Sequence, residues 1–98
     1  MTTHKVGSVI LFLRNVSTIT QLIELTSSLQ QLAAAAGHEQ GLFIAIDQEN
    51  GLVTRIKPPA ATQLPGSMAL GATGDATNAF KVASATAETL KAFGINMN

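Results

Sequence analysis

Ninety-eight residues suffice for one small domain, and a chain that is 46% apolar and only 12% charged is too hydrophobic to stay disordered. Six basic and six acidic residues cancel to a net charge of zero, so no electrostatic footprint for nucleic acid or for an anionic membrane surface is present. The chain has no cysteine, and its two histidines, His4 and His38, stand too far apart in sequence to suggest zinc, so no metal and no cofactor are expected. No apolar run reaches the roughly 18 residues that cross a bilayer. Met1-Thr2-Thr3-His4-Lys5 leads directly into a strand pattern instead of a signal-peptide core, which gives a cytoplasmic expectation without a membrane partner.

Val6 to Leu13 is continuously apolar from Val9 onward, the pattern of a strand covered on both faces, and it ends in the polar loop Arg14-Asn15. Thr18 followed by Gln21 has the spacing of a capping box, predicting a helix from about Ile19. Ile19, Leu22, Leu25, Leu29, Leu32 and Ala36 recur at spacings of three and four and form one apolar stripe, with Gly37 placed to end the helix in the left-handed conformation. A second strand follows from Leu42 to Ile46, completing a βαβ unit with a right-handed crossover.

That strand runs into Asp47-Gln48-Glu49-Asn50-Gly51, so it delivers two carboxylates into a turn. In α/β folds the carboxyl ends of buried parallel strands are where ligands bind, which makes Asp47 the first candidate functional residue. Lys57 to Gly66 carries three prolines and reads as a stiff, ordered loop of the kind that often serves function. Ser67 to Ala72 reads as a short helical turn. Asp75 then caps a second main helix running to about Phe93, with Ala76, Ala79, Phe80, Ala83, Ala87 and Leu90 on its inner face. Gly94 ends it, and Ile95-Asn96-Met97-Asn98 has the character of an opening third strand. Parallel strands with crossover helices leave a sheet edge unpaired, so self-association through exposed edges is expected.

The runs Val9-Ile10-Leu11-Phe12 with Arg14-Asn15, Ile46-Asp47-Gln48-Glu49 with Gly51, Val53 and Arg55, Leu64-Pro65-Gly66 with Met68-Ala69-Leu70-Gly71-Ala72, and Gly94-Ile95-Asn96-Met97-Asn98 stand in order along nearly the whole chain. Together they resemble the N-terminal barrel domain of glycoside hydrolase family 3, in its β-N-acetylhexosaminidase branch. The resemblance implies an α/β fold that is part of a (β/α)₈ TIM barrel: its first three strands and two main helices, about a third of the ~250 residues a full barrel takes. Residues 1–98 are then an incomplete N-terminal barrel domain.

The family hydrolyses terminal β-linked sugars with retention, through a covalent intermediate that requires a carboxylate nucleophile and a proton donor about 5 Å apart. Carried over by the resemblance, Asp47 accepts hydrogen bonds from sugar hydroxyls and Arg55 contacts the same sugar, N-acetylglucosamine in this branch. The matching positions for the nucleophile, a Lys-His sugar-binding pair and a catalytic histidine loop lie outside these 98 residues, so no catalytic residue is assigned and this chain alone is expected to be inactive. Glu49 reads as a structural residue of the turn. Arg55 could instead pair with Glu49, and Arg14-Asn15 either line the barrel mouth or order their own loop. Asn50, Gly51 and Leu52 replace the branch's usual two glycines and arginine, a turn that asparagine can sustain because it tolerates positive φ. The alternatives are a β-glucosidase-type member of the same family and a non-catalytic, truncated sugar-binding or packing domain.

Overall fold

The computed structural model describes residues 4–98; the first three residues, part of the leader reading above, lie outside them. In chain order the elements are β1 (Ser8–Leu11), a single 3₁₀ turn (Leu13–Asn15), α1 (Ile19–Ala35), β2 (Phe43–Ile46), a short α2 (Ser67–Ala72) and α3 (Ala76–Ala92). β1 and β2 pair in parallel, Ser8 opposite Phe43 through Leu11 opposite Ile46. The third strand is reduced to one parallel bridge between Ala45 and Met97, on the other side of β2 from β1. The first strand is shorter than the apolar run Val6 to Leu13 because its pairing stops where the four-residue partner does, and the chain then tightens into the 3₁₀ turn.

The two faces of this sheet differ. Ile44 and Ile46 are buried, at 0% and 1% exposure, and Leu11 lies beside them at 5%. Ile10, Phe43 and Met97 are exposed at 49%, 60% and 52%. Full burial of an isoleucine is worth roughly 1.5–3 kcal/mol, so the packing energy sits on the helix-covered face alone. β1 is therefore not covered on both faces, as its unbroken apolar run predicts; the other face is an open apolar surface.

Both main helices are capped as their sequences require. Thr18 Oγ1 accepts from the Gln21 amide, although the Gln21 side chain reaches back to the Ser17 amide and not to Thr18, so the box is only half made. Asp75 accepts from the Thr77 amide at 2.8 Å. At the far ends, Gly37 and Gly94 take φ of +79° and +76°. His38 donates to the Ala33 carbonyl and Ile95 to the Leu90 carbonyl, which closes a Schellman motif on each helix.

The faces the helices present differ from the apolar stripes. In α1 the buried residues are Leu22, Thr26 and Ala33, while Ile19 and Leu32 are exposed at 42% and 57%. In α3 the buried residues are Thr86 and Leu90; Ala76, Ala79, Phe80, Ala83 and Ala87, expected inside with Leu90, are exposed. Two threonines take the places of apolar residues because each finds hydrogen bonds where it is buried. Thr26 Oγ1 lies 2.8 Å from the Phe93 carbonyl, linking α1 to the end of α3, and Thr86 Oγ1 donates to the Val82 carbonyl.

Candidate functional site

Because the strands run in parallel, Leu11, Ile46 and the Met97–Asn98 segment all finish at one edge of the sheet, and the residues that follow them crowd together there. Beyond Ile46 the chain makes a closed loop and returns at Arg55. The Glu49 amide donates to the Val53 carbonyl at 2.9 Å, Thr54 Oγ1 donates to the Gly51 carbonyl, and Asn50 holds φ +62°. That left-handed turn is where the branch's glycines would fall, and asparagine sustains it. Asn50 Nδ2 also donates to Thr86 Oγ1 at 2.7 Å, fastening the loop to α3. On its other side the loop meets the proline-rich segment at Gly66. A Cβ there would come within 2.9 Å of Gly51 Cα, so the two backbones touch with no room for a side chain.

The loop brings the two predicted site residues together. Arg55 Nη2 stands 3.2 Å from Asp47 Oδ2, with the arginine side chain 25% exposed and the aspartate 39% exposed. Arg55 thus pairs with Asp47 and not with Glu49, which is exposed. An ion pair this open contributes about 0–1 kcal/mol. It does not fold the loop.

Gln48 does that. It is buried at 4% exposure, its Oε1 accepts from the amides of Arg55 and Ile56 at 3.0 Å each, and its Nε2 donates to the Ile56 carbonyl at 2.9 Å. The Asn98 side chain clasps the Gln48 backbone from the third-strand side, accepting from its amide and donating to its carbonyl. Asn96 does the same for the Ile44 amide and the Leu42 carbonyl, so two asparagines supply pairing that a longer strand would make with backbone.

Gln48 was detectable in the sequence. Side chains alternate along a strand, so 44, 46 and 48 fall on the buried face, and a polar residue there must be hydrogen-bonded. The same alternation puts Asp47 in line with Phe43 and Ala45, on the open face.

The remaining candidates divide. Asn15 is tied into its own loop, Oδ1 accepting from the Phe12 amide and its carbonyl from Gln21 Nε2, and Arg14 stacks 4.7 Å from the centre of the Phe12 ring. His38 Nε2 is buried and has no hydrogen-bond partner among the described residues. An open cleft of about 480 Å³ runs between the loop and the α2–α3 pair, reached by Gln48, Asn50, Pro65, Thr86 and Asn98 but by neither Asp47 nor Arg55. Among the described residues no group of three histidine or acidic side chains is arranged to hold a metal, and no helix is long and apolar enough to cross a membrane.

A two-stranded parallel sheet with its helices on one face and an acid–arginine pair at the strand tips defines an α/β domain. The family description "Glycosyl hydrolase family 3 N terminal domain" matches residues 1–98, and the chain belongs to that family, in its hexosaminidase branch. It is 46% identical over 99 residues to "Beta-hexosaminidase A" of Pseudoalteromonas piscicida, an alignment covering 97% of this chain and 16% of that protein. It is 38% identical to "Beta-hexosaminidase" of Bordetella avium (strain 197N), covering 95% and 27%. Its fold superposes with a TM-score of 0.85, at 45% identity, on a glycoside hydrolase family 3 β-N-acetylglucosaminidase from Paenibacillus sp. str. FPU-7, covering 96% of this chain and 18% of that one. A fungal multi-domain β-N-acetylglucosaminidase of the same family gives 0.88 at 53% identity, covering 94% and 11%. The chain therefore spans between about a tenth and a quarter of the length of these relatives.

Proposed function

We propose that these residues are the opening third of a (β/α)₈ barrel in a β-N-acetylhexosaminidase, an incomplete barrel domain in which Asp47 and Arg55 grip a terminal, β-linked N-acetylglucosamine. The nucleophile and the proton-transfer pair belong, in this reading, to other segments of the enzyme. The observation that carries it is the position of Asp47, at the carboxyl end of β2 and in line with the open-face residues Phe43 and Ala45, with Arg55 at 3.2 Å. Arg55 spends one terminal nitrogen, Nη2, on Asp47, so terminal N–H groups of its fork remain as donors for a sugar hydroxyl. The open apolar surface of Ile10, Phe43 and Met97 fits an unfinished barrel interior, which further strands would cover.

The test separates grip from chemistry. A full-length polypeptide carrying this chain is expected to release chromophore from an N-acetylglucosaminide and to be inhibited competitively by free N-acetylglucosamine. Residues 1–98 alone are expected to give background turnover only. Clear turnover by the short chain would put the reacting carboxylates inside it and overturn this division of labour.

A further inference from the structure

We propose that Gln48 is a positioning residue for the sugar grip, acting through Arg55 and not by touching substrate itself. The inference rests on the reading of Asp47 and Arg55 given above. Gln48 is buried, and both ends of its amide are engaged by the returning strand of the loop: one oxygen takes the amides of Arg55 and Ile56, and the nitrogen gives its proton to the Ile56 carbonyl. These three bonds set where the Arg55 backbone leaves the loop, seven residues along the chain from Gln48, and so where its guanidinium meets Asp47.

The anchor is itself held from behind. Asn98 fixes the Gln48 backbone with two bonds, at 2.9 and 3.1 Å, so the position of Arg55 is referred through one side chain to the third strand. The surface ion pair is too exposed to define this geometry, and a buried amide with both its ends engaged does define it. Asp47 precedes Gln48 directly, so the residue whose side chain holds the Arg55 backbone is the chain neighbour of the one that bears the carboxylate.

The test is a double-mutant cycle in the full-length enzyme, reading the inhibition constant for N-acetylglucosamine in wild type, Gln48→Met, Arg55→Ala and the double variant. Methionine keeps the length and burial and removes all three bonds. Gln48→Met is expected to weaken N-acetylglucosamine by about tenfold when Arg55 is present, and by less than about twofold when it is alanine, because the effect travels through the arginine. Should Gln48→Met fail to accumulate, Gln48→Glu enters the same cycle: it keeps an acceptor for the two amides but sets a carboxylate oxygen against the Ile56 carbonyl, and its weakening of N-acetylglucosamine is likewise expected only when Arg55 is present.

Equal weakening in both backgrounds would mean that Gln48 merely supports the fold and would overturn the positioning role while leaving the grip intact. Unchanged inhibition in Gln48→Met would overturn it too. An Arg55→Ala enzyme that binds the sugar as wild type does would instead sink the grip reading, and this inference with it.

Discussion

Replacing Asp47 by alanine is expected to lower kcat/KM of the full-length enzyme on an N-acetylglucosaminide by at least ~30-fold, about 2 kcal/mol of transition-state stabilisation. The size follows from what the carboxylate would lose. As a partner of Arg55 it is 39% exposed, and such a pair is worth about 0–1 kcal/mol to folding. Charge-assisted bonds to sugar hydroxyls, made where a bound ring excludes water, are worth roughly 1.5–3 kcal/mol. Activity should therefore fall far more than stability does. An Asp47→Ala enzyme with unchanged kinetics would refute the assigned role, and one that simply failed to fold would make the residue a structural one.

The second large effect lies away from the site. Gly94→Ala is expected to destabilise the folded protein by about 3 kcal/mol, from left-handed strain of roughly 1–2 kcal/mol and overpacking of roughly 1–3 kcal/mol. The glycine stands at φ +76°, and a Cβ there would meet Thr26 Oγ1 at 2.6 Å and Thr26 Cβ at 3.1 Å. Thr26 cannot retreat without giving up its bond to the Phe93 carbonyl. Gly37 supplies the control, because its φ is +79° and nothing lies within 4 Å of its would-be Cβ. Gly37→Ala should show the conformational cost alone, about 1–2 kcal/mol. Denaturant midpoints that moved equally for the two variants would show that the contact with Thr26 is not tight.

Local chemistry was the legible part of this sequence. Thr18, Asp75, Gly37 and Gly94 mark the helix ends because capping depends on residues a few positions apart. The faces of the helices were harder to read. Alanines surround α3 on several sides, so its apolar spacing fits more than one face, and the face chosen by the fold is the one where Thr86 can meet Asn50 and Leu90 can join the core. Thr26 is hidden in the same way, since a threonine enters a buried stripe only when a distant carbonyl is there to receive it.

At the site, the acid and the arginine stood out by residue type and by family resemblance. Their pairing did not, because the seven residues between them form a loop closed by a buried glutamine. Gln48 stands in a run of polar residues that hides it by composition, although strand alternation points it inward beside Ile44 and Ile46. The open sheet face, too, lay beyond an apolar pattern, which records that β1 is hydrophobic on both sides but not which side this chain covers.

The most direct test of the central claim is a crystal structure of the full-length protein with N-acetylglucosamine bound. The account predicts the Asp47 carboxylate and the Arg55 guanidinium within about 3.2 Å of sugar hydroxyls, at the mouth of a barrel whose further strands cover Ile10, Phe43 and Met97. A sugar seated elsewhere, or an Asp47 side chain turned away from the strand tips, would contradict it.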